Sequence, residues 1–123
     1  MNPNPLVEKI IIACYEIHSE LGIGFVEKVY ENSLTIALRD QNFEASQQSP
    51  ISVYFRNQIV GSFYADIVVN EEIVLELKAV NNLLPEHQAQ LINYLSATRI
   101  KTGLLINFAK KGLEIKRCYQ RNK

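Results

Sequence analysis

Apolar residues recur at Leu6, Val7, Ile10, Ile11, Cys14, Ile17 and Leu21, a one-sided stripe of helical period. The spacing predicts an amphipathic helix from about Leu6 to Leu21, with Pro5 near its first turn and Gly22 at its end. Beyond Gly22-Ile23-Gly24 the same period returns in Val26, Val29, Tyr30, Leu34, Ala37 and Leu38, predicting a second helix over about Val26 to Asp40. The period then shortens to two. Ile51, Val53 and Phe55 alternate with polar neighbours, so a strand starts near Pro50 and turns at Arg56-Asn57-Gln58. Ile59 to Val69 reads as a second strand, with Gly61 a candidate bend, and Asn70-Glu71-Glu72 as a polar turn. Ile73 to Ala79 is apolar on both faces apart from two charges, the pattern of a buried central strand. Pro85 opens a helix from about Glu86 to Ala97, Gly103 to Phe108 is another buried strand, and Lys110-Lys111-Gly112 turns into a last strand, Leu113 to Tyr119. The order α-α-β-β-β-α-β-β, without repeat, low-complexity segment or linker, describes an α/β fold, and 123 residues suit one domain with a single core.

The third predicted strand raises a chemical question, because Glu76 and Lys78 interrupt an otherwise apolar run. With Asn70, Glu71 and Glu72 as the loop, Val69 pairs with Ile73, and counting back along both strands sets Asp66 opposite Glu76. Lys78, two residues on, emerges on the face of Glu76. A loop one residue longer or shorter would send Asp66 to the other face. Two adjacent carboxylates raise one another's pKa unless a cation lies between them. Mg2+ or Mn2+ suits such a pair, being a hard ion satisfied by one or two carboxylates, waters and a substrate phosphate. Lys78 then serves either to orient an attacking water or to stabilise a phosphoryl transition state. The competing reading is a structural ion pair of Lys78 with Glu76 or Asp66.

Composition narrows the class. Hydrophobic residues make up 47% and charged residues 21%, as in soluble globular proteins. The opening Met1-Asn2-Pro3-Asn4-Pro5 lacks a basic n-region and the apolar run Ile10 to Cys14 is too short to span a bilayer, so neither a secretory signal nor a membrane helix is expected. Cys14 and Cys118 form no disulfide framework, which points to a reducing cytoplasm. His18 has no ligand partner nearby, and His87 at a helix start reads as exposed or as a cap, so zinc is not expected. No phosphate-binding glycine motif occurs. Net charge is zero, yet from Arg99 onward eight basic residues (Arg99, Lys101, Lys110, Lys111, Lys116, Arg117, Arg121 and Lys123) face the single acid Glu114. That segment is either a solvated strand pair and tail or a phosphate-facing surface.

The Asp66 … Glu76-Leu77-Lys78 hairpin resembles the signature of the PD-(D/E)XK nuclease superfamily, the restriction endonuclease-like fold. The chain further resembles the small GxxExxY family through Gly24-Phe25-Val26-Glu27-Lys28-Val29-Tyr30, Gln48-Ser49-Pro50, Tyr64-Ala65-Asp66, Glu76-Leu77-Lys78-Ala79, Gln88 to Leu95, Gly103 to Phe108 and Lys116-Arg117. It departs where Ile23 and Ala109 replace a usual proline and glycine. The resemblance implies a mixed central sheet flanked by helices and a Mg2+- or Mn2+-dependent nuclease. In it Asp66, Glu76 and the Leu77 carbonyl hold the metal, Lys78 is the catalytic lysine and Glu27 is a helix-borne acid. Gln90 and Tyr94 resemble the Gln/Tyr pair of exonuclease-like relatives and, at i and i+4, share a helix face. Tyr30 lies on the apolar stripe, its ring expected in the core and its hydroxyl toward the site.

Three functions compete. The first is a metal-dependent phosphodiesterase acting on DNA or RNA. The second is a non-catalytic nuclease-like module that binds nucleic acid or a protein partner, consistent with zero net charge and small size. The third is a structural or dimeric interaction protein whose charged cluster is an internal ion pair. A homodimer embracing a duplex is compatible with the first.

Overall fold

The computed structural model describes residues 4–121; Met1 to Pro3, Asn122 and Lys123 lie outside them. Helix α1 (Pro5–Leu21) starts where the Asn4 side chain accepts the free N–H groups of Leu6 and Val7, at 3.1 and 3.3 Å. It ends at Gly22, whose φ of 77° few other residues would tolerate. Helix α2 is Glu27–Asp40 and α3 is Pro85–Thr98. At the start of α3, His87 Nδ1 accepts the Leu84 N–H at 3.0 Å.

Strands β1 (Ala45–Phe55), β2 (Gln58–Val69), β3 (Ile73–Lys78), β4 (Thr102–Ala109) and β5 (Gly112–Tyr119) lie side by side in chain order. All neighbours are antiparallel except β3 and β4, which run parallel because α3 carries the chain back across the sheet. The expected element order therefore holds. Most boundaries shift by a residue, and the large difference is at β1, which begins at Ala45, well before Pro50. Ser46-Gln47-Gln48-Ser49 has no apolar alternation to betray a strand, and its place comes from pairing with Ala65 to Val69. Arg56 and Asn57 connect β1 to β2 with φ of 50° and 63°, the two left-handed positions of a tight hairpin turn. Asn70 to Glu72 join β2 to β3, and Val69 faces Ile73 as the three-residue loop requires.

The sheet is covered on both faces. Helices α1 and α2 bury Ile10, Cys14, Leu34 and Leu38 against Ile73, Leu75, Leu77, Leu104 and Ile106. Helix α3 buries Leu91 and Leu95 against Val74 and Leu105. Each such side chain taken from water contributes about 1.5–3 kcal/mol. β3 thus alternates between the two cores, which leaves Glu76 and Lys78 on the parity of Val74. Among the described residues no helix is long and apolar enough to cross a membrane.

Gly103 lets α3 close onto the sheet. A Cβ there would lie 2.9–3.2 Å from three atoms of the Leu91 side chain, which is itself fully buried. Gly103→Ala is expected to destabilise the fold by about 1–3 kcal/mol through overpacking, measured by urea unfolding.

Candidate active site

Between β2 and β3 the ladder runs from Val69–Ile73 through Val68–Val74 to Ile67–Leu75, and there it stops. Side chains replace it. The Asp66 N–H donates to Glu76 Oε2 at 2.8 Å, and the Leu77 N–H donates to Asp66 Oδ2 at 2.8 Å. Each carboxylate satisfies a backbone donor on the opposite strand, a reciprocal clasp at the point where the strands part. Asp66 and Glu76 therefore meet, as the hairpin register suggested, but by a different route from regular cross-strand pairing.

The neighbouring strand is distorted at the same level. β1–β2 pairing is registered at Gln47–Ile67 and Ser49–Ala65 but not between them. Gln48, at the gap, holds a φ of 51°, a left-handed conformation that costs a non-glycine residue about 1–2 kcal/mol. Ala65 packs in the α3 core while Ile67, two residues on, packs under α1 and α2, so the alternation of β2 breaks at Asp66. The distortion brings the Gln48 amide to Glu31 Oε1 at 3.1 Å and to Asp66 Oδ1 at 3.4 Å.

Glu31 is the residue the motifs did not single out. It lies on α2, only 4% exposed, and accepts Gln47 Nε2 at 2.7 Å and Lys28 Nζ at 3.0 Å. Glu27, one turn earlier, is exposed and lines the mouth of a cleft of about 760 Å³ shared with Glu31, Gln48 and Asp66. The helical spacing of four from Glu27 was the available signal for Glu31.

Lys78 is half-buried beside Glu76, whose ionisation its charge favours. An ion pair joins Lys28 to Glu31, and among the described residues none joins Lys78 to either carboxylate. The chain just beyond it is held by Asn107, whose side chain bonds both the N–H and the carbonyl of Val80 at 2.9 Å. Tyr94, on α3, faces the same pair. Its hydroxyl is pushed up by burial and then by the charges of Glu76 and Asp66, while the 3.1 Å bond from Gln90 Nε2 acts the other way. Leu77 sends its side chain into the α1/α2 core and spends its N–H on Asp66. Tyr30 stands elsewhere. Its ring stacks on Phe108 at 4.2 Å, and its hydroxyl donates to the Gly22 carbonyl at 2.8 Å and accepts the Phe25 N–H, pinning the turn before α2.

Burial first, and the neighbouring Asp66 carboxylate second, push Glu76 up to about 8, with the Asp66 N–H and Lys78 pulling it down. The donors around this pair are oxygens. Among the described residues no group of three His, Cys, Asp or Glu side chains is arranged to hold a metal. Mg2+ and Mn2+ need no such cage, since waters complete their octahedron around one or two carboxylates. Asp66 and Glu76 fit that requirement, and the share of the Glu76 shift that comes from the Asp66 charge is the kind a cation relieves.

The family model of the PD-(D/E)XK nuclease superfamily matches residues 4–118, and the chain belongs to that superfamily. The five-stranded mixed sheet flanked by helices is the restriction endonuclease-like arrangement. The crystal structure of SSO0001 is similar in fold, with a TM-score of 0.63 and 17% identity over 94% of this chain and 58% of that one. The chain thus spans little more than half the length of that structure. No curated protein matches it. Nucleases of that superfamily generally use divalent metals such as Mg2+ or Mn2+.

Two expectations follow from the geometry. Glu76 ionises near 8 when folded but near 4.3 when unfolded, so the folded chain holds a proton that the unfolded chain gives up. The stability this contributes is present below about pH 4 and is lost as pH rises through about 8. In metal-free buffer Glu76→Gln should therefore raise Tm more at about pH 9 than at about pH 5, read by thermal melts across pH. Tyr30→Phe, by freeing the Gly22–Phe25 turn, should cost about 1 kcal/mol in urea unfolding.

Proposed function

We propose that this protein is a metal-dependent nuclease of the GxxExxY type, a single domain that hydrolyses phosphodiester bonds in DNA or RNA. The observation that carries the reading is the Asp66–Glu76 clasp, two carboxylates 2.8 Å from each other's strand, beside a lysine bound to neither. That no ion pair joins Lys78 to either carboxylate among the described residues supports this reading over a structural ion pair.

Asp66 and Glu76, with the Leu77 carbonyl, would hold Mg2+ or Mn2+. When bound, the ion supplies charge neutralisation between the carboxylates and Lewis acidity toward a phosphoryl oxygen. Lys78 donates hydrogen bonds to the attacking water or to the phosphoryl oxygens, where a fixed charge in a water-poor site stabilises the transition state. Glu31 and Glu27 keep the far wall acidic, and Gln48 links that wall to Asp66. Gln90 and Tyr94 position the substrate from α3, and Tyr30 supports the site only by fixing the turn that starts α2. Work in the cytoplasm accords with two buried free thiols, and a homodimer accords with the exposed edges of β1 and β5.

A second reading has one observation behind it: one oxygen of each carboxylate is already satisfied by backbone. On that reading the clasp is structural, and the domain binds nucleic acid or a protein without cutting.

Purified protein with Mn2+ should cleave nucleic acid, and Asp66→Ala or Lys78→Ala should lower the rate by about a hundredfold or more, followed on labelled oligonucleotides. Unchanged rates in both Asp66→Ala and Glu76→Ala would remove the active-site assignment. Mn2+ at about a hundred times its Kd should stabilise the wild type by about 2.7 kcal/mol, and Asp66→Ala much less, in thermal melts.

A further inference from the structure

A groove of about 780 Å³ runs between the β1–β2 hairpin and α3, with Tyr54 and Phe63 on one wall and Gln90, Asn93 and Tyr94 on the other. The hairpin reaches past β3, whose pairing with β2 ends at Ile67, so this part of β1 and β2 has no strand beyond it. Its aromatic residues are left open: Tyr54 is 62% exposed and Phe63 43%. Gly61 makes the placing of Phe63 possible, because a Cβ there would lie 2.9 Å from the ring. Phe63 in turn lies 5.8 Å from the Tyr94 ring, centre to centre.

Tyr94 belongs to both places. Its ring lines the groove and packs in the α3 core with Ala65, which precedes Asp66, and Val74, two residues before Glu76. A polynucleotide with one phosphate at the carboxylate pair would therefore lay its adjoining nucleotides along this groove. We propose that the groove seats unpaired bases, so that the substrate is single-stranded, or made single-stranded where it is cut. The inference rests on the nuclease reading above. Its chemistry is that of a stacking platform: aromatic faces that accept any base, amide groups of Gln90 and Asn93 for base edges, and the guanidinium of Arg99 toward the backbone. Paired bases present no free face to Tyr54 or Phe63, so a duplex gains nothing from them.

The test measures binding apart from cleavage. Full-length protein in chelator is titrated against a fluorescein-labelled oligothymidylate, an oligouridylate and a mixed-sequence duplex, followed by anisotropy, and the same samples then receive Mn2+ to read cutting. Single strands should bind more tightly than the duplex, and Tyr54→Ala or Phe63→Ala should each weaken them about tenfold without changing the duplex. Tyr54→Phe, which keeps the ring face, should restore the affinity, showing that stacking and not folding was lost. The two single strands separate DNA from RNA as the source of the bases. Equal binding of single strand and duplex, indifferent to both substitutions, overturns the inference, and duplex cutting in that case would leave the nuclease reading intact. Stacking-dependent binding with no cutting in any metal would support the groove while removing the nuclease. Light scattering that shows a dimer broken by Tyr54→Ala, with no single-strand binding, would assign the groove to a second copy of the chain and overturn the proposal.

Discussion

The site depends on two N–H groups that the sheet cannot satisfy. Where β2 and β3 part, the donors of Asp66 and Leu77 lose their ladder partners, and the carboxylates of Glu76 and Asp66 take them. A buried unpaired N–H costs about 1–3 kcal/mol, so the clasp stabilises the divergence of the strands. The same bonds hold two carboxyl groups together, and burial first, with the Asp66 charge second, raises the pKa of Glu76. The fold and the proposed chemistry thus share one pair of residues.

The remaining parts gather around the opening. Gln48 takes a left-handed backbone across from Asp66, and its amide ties Asp66 to Glu31 of α2. From the other side, α3 brings Tyr94 to the carboxylates, and Gly103 allows the helix to come close enough. Asn107 fixes the segment after Lys78 by bonding both polar groups of Val80. The left-handed Gln48 backbone lies at this strand break, where β1–β2 pairing skips a residue. Elsewhere the apolar strands are ordinary, with β3 and β4 buried on both faces as parallel strands require.

Reading residues in isolation worked best where local period and pairing coincide. Asn70 to Glu72 could only be a short turn between two apolar strands, and its length set Val69 against Ile73. It worked poorly for polar strand residues such as Gln47 and Gln48, whose strand position comes from β2 and whose partner lies on a helix. Spacing places Glu31 on the helix face of Glu27, but only its burial sets it apart from that exposed acid. The apolar stripe places the Tyr30 ring in the core, but the direction of its hydroxyl follows from the path of the Gly22–Phe25 turn.

Period, turn chemistry and motif order, all local properties, sufficed for the elements, their sequence and the meeting of Asp66 with Glu76. The tertiary structure alone decided that they meet through backbone donors, that Gln48 ties Asp66 to Glu31, and that Tyr94 packs beside Ala65 and Val74. Hydrophobic period records which side of an element is buried, since that is paid for residue by residue. It carries no record of where neighbouring strands separate, because that balance is struck among several elements at once.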